Sequence, residues 1–535
     1  MSVFRYLFQE CPKMIVVVSL VSLAGGMCGA GLVALINYSL TSPRFSRSVL
    51  LLAFAFLVFG KILSGAISQQ MLFRHAQQVT MNMCVRLCRD LTNSSLRNVE
   101  SLGVPRIMAT LTDDVNSLGS AIQSIPALIV NAAVLVGCSA YLAWLSWKAF
   151  LLLVVLGSAG VFMYRLLLQK TQAAMEVARQ MRDALFGHFR AITEGIKEIR
   201  MNRSRREDLL ENHLSMTLHN LNRQVVSVIN RFIFTDSCSQ FIFYSILGVL
   251  IFLLPIFSRL PITTLTGYAF AALYVMNPIW GMIYGLPSLQ KGQIALERIN
   301  NFQNSLPLEA ASGIPIQEAK LKWKSLEVRN IVFGYCERED FAHGFVLGPI
   351  DFTLKPGELV FVIGGNGSGK STFVKLLCGL YTPQSGEILL DHSTVTDATR
   401  EHYRQHFSVV FSDFYLFDRL LGLSKKDLDG RVEEYLVRLQ LNQKVTLTGG
   451  TFSTTALSQG QRRRLALLVS YLEDRPIYVF DEWAADQDPD YKEVFYRSLL
   501  PELRSKGKAV VVITHDDRYF SLGDRIVRLD YGKVV

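Results

Sequence analysis

Six apolar stretches, at about 14–40, 49–72, 125–145, 149–168, 238–257 and 264–288, constrain this chain more than any other feature. Each is long enough to cross roughly 30 Å of hydrocarbon as a helix, which takes about 20 residues. Half of the 535 residues are hydrophobic and 19% are charged, and the apolar surplus lies before residue 300. That concentration marks a membrane region rather than an oily globule. The connections alternate strictly. Spans one and two are joined by Thr41 to Ser48, three and four by Ser146 to Lys148, and five and six by Ser258 to Thr263. Between spans two and three, and again between four and five, lie long polar helical stretches at about 73–124 and 169–237.

Charge orients these elements. Residues 73–125 carry five Lys and Arg and residues 169–235 carry eleven, whereas the three short loops together carry four (Arg44, Arg47, Lys148, Arg259). The positive-inside bias therefore places the long loops and both termini in the cytoplasm. The net charge of +10 is read in the same way, as topology rather than as nucleic-acid binding. Within the long loops, Leu111 to Val115 and Glu194 to Ile199 are the candidates for short contact helices, against the alternative of ordinary solvated faces. Lys61 and Arg165 are the charges inside spans, and each either snorkels or faces a cavity. The rings of span six (Tyr268, Phe270, Tyr274, Trp280, Tyr284) line a substrate path, or else pack or form an interfacial belt. Eight scattered cysteines without a CxxC pair read as free, buried thiols in a reducing compartment. The first apolar stretch is too long for a cleavable signal and lacks a clear cleavage site.

Pro307, Gly313 and Pro315 break the pattern between residues 301 and 325, which reads as a linker. The division is then a membrane domain at 1–300, a linker at 301–325 and a second domain at 326–535. In the second domain an apolar run, 358–363, enters Gly364-Gly365-Asn366-Gly367-Ser368-Gly369-Lys370-Ser371-Thr372, and a helical pattern follows. That is GxxxxGK[ST] between a strand and a helix. Its glycines let backbone N–H groups turn toward phosphates, and the helix N-terminus favours an anion. Lys370 is expected to reach the β- and γ-phosphates of ATP and Ser371 to ligate Mg²⁺. A second apolar run, Ile477 to Phe480, ends in Asp481-Glu482, about 110 residues downstream. Asp481 is placed to hold Mg²⁺ and Glu482 to act as general base on water. The fold class expected is a six-helix all-α membrane domain followed by an α/β P-loop cassette.

Between those motifs lies Leu457-Ser458-Gln459-Gly460-Gln461, followed by three arginines. With this the whole chain resembles the bacterial ABC exporters, as a half-transporter. The resemblance implies that Ser458, Gly460 and Gln461 contact a nucleotide held by the opposite subunit. It further implies that Tyr335 stacks on adenine, that Asp488 is the acidic position of the loop communicating between sites, and that His515 senses the γ-phosphate. One position departs from the family. In Val409 to Phe417, Ser412 stands where a metal-binding glutamine is usual, and its hydroxyl can still offer a lone pair to a metal or its water. Trp483 is a second departure, replacing the alanine or proline common after the catalytic glutamate.

FDEWAADQDP (Phe480 to Pro489), LFDRLLG (Leu416 to Gly422) and Ser412 are most similar to the branch that exports cyclic or lariat peptides and siderophore precursors. The function this implies is ATP-driven export of such a peptide or siderophore precursor across the bacterial inner membrane by alternating access. One chain carries one phosphate loop and one signature, so a homodimer is expected to build two sites about a two-fold axis. Membrane lipid is a further expected partner, and a periplasmic partner remains an option. A lipid flippase or broad drug exporter of the same architecture is the alternative.

Overall fold

The computed structural model describes Arg5 and residues 12–41, 45–257, 261–307, 322–335, 344–423 and 428–535. The chain divides into two units, Met1–Cys84 with Ala109–Asn300, and Val85–Met108 with Asn301–Val535. Among the described residues, six helices are long and apolar enough to span a membrane: Pro12–Thr41, Arg47–Thr92, Val104–Leu145, Trp147–Leu167, Arg203–Leu253 and Ile262–Asn304. Four contain the stretches expected from hydropathy, and Trp147–Leu167 and Arg203–Leu253 end one and four residues short of theirs.

Hydrocarbon supplies no hydrophobic drive between helices, so close approach depends on small residues and a few polar pairs. The third and sixth spanning helices meet along such a seam. A Cβ built on Gly292 would lie 2.2 Å from the Cβ of Ala121, and one on Gly285 would lie 2.7 Å from Leu128. The first and third helices do the same, with Gly26 against Ala133. Ser22 and Ser68 share a buried hydrogen bond of 2.6 Å between the first two helices. Of the rings in the sixth helix, Tyr268 is buried and donates to the carbonyls of Leu142 and Ser146, while Phe270 packs beside it. Both are therefore packing residues. Lys61 is half-buried, and its ammonium lies 4.9 Å above the Tyr274 ring. Arg165 is exposed, and the side chain of Tyr284 lies outside the described residues. The six described cysteines are free; Cys138 and Cys378 are buried, but Cys88 is exposed.

One expectation about the loops is corrected. Leu111 to Val115 is not a separate contact helix. It belongs to the third spanning helix, with Thr110 and Asp114 buried and Asp114 paired with Arg298 at 3.4 Å. The short helix that joins the second unit is Leu96–Leu102, ended by Gly103 at φ 74°. The second break does fall near its expected place. A 48-residue helix from Trp147 stops at Glu194, and Gly195 leads into Ile196–Met201. The expected linker is partly helical, since the sixth helix continues to Asn304, and residues 308–321 lie outside the described residues.

The second unit is built on a six-stranded sheet in the order Lys533–Val534, Arg525–Asp530, Leu359–Gly364, Ala509–Ile513, Ile477–Asp481, Phe407–Val410. The last five are parallel, and Leu359–Gly364 and Ala509–Ile513 are apolar at every position because both faces are covered. Phe361, Phe480 and Val512 pack into one core, and Val360, Val479 and Val511 into the other. A four-stranded antiparallel sheet, ordered Val346–Leu354, Leu326–Gly334, Ser385–Leu390, Ser393–Thr394, lies in the same unit.

The seam in the membrane unit gives a test. Gly292→Val forces a branched side chain onto Ala121, and overpacking of this kind costs about 1–3 kcal/mol. The detergent-solubilised variant should melt several degrees below the parent, whereas a change at Gly65, whose Cβ would meet nothing within 4 Å, should not.

Candidate functional site

In open parallel sheets ligands gather at the carboxyl ends of the strands. Here the register aligns Val362, Ile513 and Asp481 across three neighbouring strands. The phosphate loop, the Asp481-Glu482 pair and His515 therefore emerge side by side. The loop itself needs unusual backbone. Gly364, Gly367 and Gly369 have φ of 155°, 77° and 100°, and Gly369 hands over to a helix at Lys370–Leu377. A Cβ on Gly364 would strike the Leu529 carbonyl at 2.2 Å, so no other residue fits there. The resulting cleft of about 440 Å³ is lined by Tyr335, Phe345, Asn366 to Thr372 and Glu482.

Lys370 is 6% exposed and its ammonium donates to the carbonyls of Gly364 (3.0 Å) and Gly365 (2.9 Å). It also lies 3.9 Å from Glu482 Oε1. Burial holds its pKa below the ordinary lysine value, and the charges of Glu482 and Asp481 act against that shift. Glu482 Oε1 is in turn 2.9 Å from His515 Nε2. Glu482 itself takes a left-handed backbone at φ 50°.

Asp481 is buried to 1% exposure, and burial raises its pKa; the hydroxyls of Ser371 and Ser412 pull it back. Ser412 donates to Asp481 Oδ2 at 3.1 Å. Oδ1 of the same carboxylate is buried without a hydrogen-bond partner. A desolvated carboxylate with an uncommitted oxygen, flanked by two hydroxyls, is a donor set that suits a hard cation such as Mg²⁺. Lys370 and the inward-turned loop suit phosphate oxygens. The residues present thus fit a magnesium nucleotide.

Tyr335 is half exposed at the rim, its hydroxyl 3.0 Å from Thr372 Oγ1 and its ring edge-on to Phe333. Phe345, not singled out from sequence, forms another wall. It had no signal of its own, because it reaches the cleft through the loop before the Val346–Leu354 strand rather than through a motif.

The signature residues are not among the lining of this cleft. Ser458 caps the helix Gln459–Glu473, accepting from Gln461 N, while the Gln461 side chain accepts from Ser458 N at 3.2 Å. Gly460 sits in the first turn, where its carbonyl accepts from Gln487 Nε2 at 3.0 Å. Asp488 also does local work, capping Pro489–Val494 by accepting from Tyr491 N at 2.9 Å.

The helix Leu96–Leu102 meets this unit beside the cleft. Arg97 donates to the Tyr335 carbonyl at 3.1 Å and lies over the Phe333 ring. Glu100 pairs with Lys375 of the phosphate-loop helix at 2.8 Å and accepts from the buried Tyr381 hydroxyl. No local pattern signals these pairings, although Asn93-Ser94-Ser95 and Gly103-Val104-Pro105 bracket the helix as punctuation.

A phosphate-loop nucleotide site in series with six spanning helices defines an ATP-driven membrane protein. Residues 347–485 match the family "ABC transporter" and residues 14–278 match "ABC transporter transmembrane region". The chain is 35% identical to the ATP-binding protein SyrD of Pseudomonas syringae pv. syringae over 554 aligned positions, covering all of this chain and 96% of that protein. It therefore belongs to the ABC transporters, with the membrane region and the ATP-binding domain in one chain. It is also 24% identical to an ATP-dependent lipid A-core flippase of Vibrio cholerae, over 90% of this chain and 83% of the flippase. In fold it resembles a solved bacterial Atm1-family ABC exporter with ATP bound, at a TM-score of 0.74 and 18% identity over 98% of this chain and 95% of that one.

The Glu100 contact yields a prediction. Glu100→Ala strands the Lys375 ammonium and the Tyr381 hydroxyl, and losing a partly exposed pair of this kind costs about 1 kcal/mol. Proteolysis of the purified transporter should cut the 85–108 segment faster in that variant, with nucleotide affinity changed less than about threefold.

Proposed function

We propose that this protein is a homodimeric exporter of the bacterial inner membrane that hydrolyses ATP to move a cyclic or otherwise modified peptide, or a siderophore precursor, out of the cytoplasm. The observation that carries the transport reading is the alignment of Lys370, Asp481, Glu482 and His515 at adjoining strand ends in a chain that also holds six spans. The peptide class rests on the resemblance of Phe480–Pro489, Leu416–Gly422 and Ser412 to that exporter branch, while the full-length likeness to SyrD supports the ABC transporter assignment itself. The likeness to lipid A-core flippases keeps lipid as the second reading.

The chemistry follows from the residues. Lys370 binds the β- and γ-phosphates; burial lowers its pKa, and the charges of Glu482 and Asp481 oppose that shift. Tyr335 offers a ring to adenine. Ser371, Asp481 and Ser412 would hold Mg²⁺, which when bound neutralises charge building on the phosphates. Glu482 takes a proton from water as its oxygen bonds to the γ-phosphorus and the bond to ADP breaks. His515 holds the Glu482 carboxylate in place through Nε2 at 2.9 Å.

Dimerisation supplies what one chain lacks. Ser458, Gly460 and Gln461 stand at a helix N-terminus outside the cleft, so a second copy related by a two-fold axis would bring them to the nucleotide. A groove in the cassette that carries exposed apolar side chains supports the same assembly. Tyr415, Phe417 and Leu421 are 77%, 55% and 65% exposed there. The short helix Ile196–Met201 of a second copy, itself exposed at Ile196 and Met201, is the segment of matching character.

Glu482→Gln should bind MgATP normally and lose at least about 100-fold in turnover; ordinary ATPase activity in that variant refutes the base. Ser412→Ala should raise the Mg²⁺ concentration for half-maximal ATPase by about three- to tenfold at saturating ATP. An unchanged Mg²⁺ titration removes Ser412 from the metal site. ATPase in reconstituted membranes, stimulated by a panel of cyclic peptides, siderophores and lipid A-core, separates the substrate classes. Stimulation by lipid A-core alone overturns the peptide reading.

A further inference from the structure

Arg463 lies in the first turns of the signature helix, yet its side chain is only 7% exposed. The guanidinium donates to the backbone carbonyls of Glu482 and, at 3.1 Å, Trp483. It also pairs with Asp486 Oδ2 at 2.9 Å. The return bond closes the contact: Trp483 Nε1 donates to the Arg463 carbonyl at 2.8 Å. Trp483 is 1% exposed and stacks on Phe495 with ring centroids 4.3 Å apart. A turn nearer the helix N-terminus, Gln487 Nε2 holds the Gly460 carbonyl at 3.0 Å. A Cβ on Gly460 would come within 3.1 Å of the Asp486 carbonyl, so helix and turn are in close contact there.

The bonded group matters. Glu482 is the one residue of the acid turn with a left-handed backbone, at φ 50°, a conformation non-glycine residues adopt only when held. A buried guanidinium on its carbonyl is a strong, directional restraint. Because the indole N–H ties the helix carbonyl back to the same turn, helix and turn must move together.

We propose that Arg463 is a positioning residue: through the Trp483 clamp it passes any shift of the signature helix, docked on the nucleotide of a second copy, to the carboxylate of Glu482 in its own site. The two ATP sites of the dimer are thereby linked inside each cassette, from Gly460 and Arg463 to Glu482 and Asp486. The inference rests on the assignment of Glu482 as base and on the dimer, both proposed above. It also gives Trp483, the departure noted in the sequence, a defined part. Its ring fills the core while its N–H makes the link.

The test uses the full-length protein in reconstituted membranes with MgATP, comparing Arg463→Gln, Trp483→Phe, the double variant and Glu482→Gln. Trp483→Phe keeps a ring against Phe495 and removes the N–H together with part of the indole's bulk. Expected for Arg463→Gln is at least a tenfold loss of kcat, with KM for ATP within about threefold and the thermal midpoint within a few degrees of the parent. Trp483→Phe should lose about three- to fivefold, and both should lower the Hill coefficient for ATP toward one. The double variant should be no worse than Arg463→Gln alone, since both changes cut one link. Arg463→Gln turning over within twofold of the parent overturns the proposal. So do multiplying losses in the double variant, or a kcat that falls only in step with KM and thermal stability, because these mark a merely structural contact. Should Arg463→Gln fail to fold, Trp483→Phe decides by the same criteria. Normal turnover in Glu482→Gln removes the base, and the clamp falls with it for that separate reason.

Discussion

A lysine ammonium buried in the first turn of a helix is opposed twice, by lost hydration and by the positive end of the helix dipole. Lys370 occupies that position. Its stabilisation is local: two loop carbonyls, and the carboxylates of Glu482 and Asp481 at the end of a neighbouring strand. Those carboxylates are there because the sheet is parallel and in register, with Ile513 paired to both Val362 and Asp481. The register holds because valine, isoleucine and phenylalanine fill both faces. Site and core are thus one arrangement. Removing the lysine would leave two neighbouring carboxylates, one deeply buried, without a cation.

Features governed by local rules were legible in the sequence. The six spans could be read because transfer into hydrocarbon depends on composition over about 20 residues. The phosphate loop could be read because only glycine accepts the backbone at Gly364, Gly367 and Gly369. What could not be read depends on distant pairings. Leu111 to Val115 was a candidate contact helix because it lies in a long cytoplasmic extension, but Asp114 faces Arg298, 184 residues away. Leu96–Leu102 looked unremarkable, yet Glu100 meets Lys375 and Tyr381 more than 270 residues on. The local work of Ser458, Gln461 and Asp488 in capping helices was not foreseen.

Ser412 shows how a departure can be absorbed. A glutamine would extend further; the serine hydroxyl instead donates to Asp481 Oδ2 and leaves Oδ1 of that carboxylate uncommitted. Trp483 is the opposite case, a larger residue than usual accommodated by a stacked ring and an indole hydrogen bond. Both substitutions touch the same acidic turn. Neighbouring changes of this kind are the ones that fail to act independently.

The second unit is assembled from two separated stretches, 85–108 and 301–535. During synthesis the first stretch leaves the ribosome some 200 residues before the strands it will meet. Until then Arg97 and Glu100 have no site to join, and the helix between Ser95 and Gly103 must wait in a form short enough to be marginal by itself. A gene cut at residue 301 would therefore not yield the whole cassette unit. It would yield one with Lys375 and the Tyr381 hydroxyl bared along the face that Leu96–Leu102 covers. The boundary between transport and ATP binding in this protein lies in space, and no single peptide bond coincides with it.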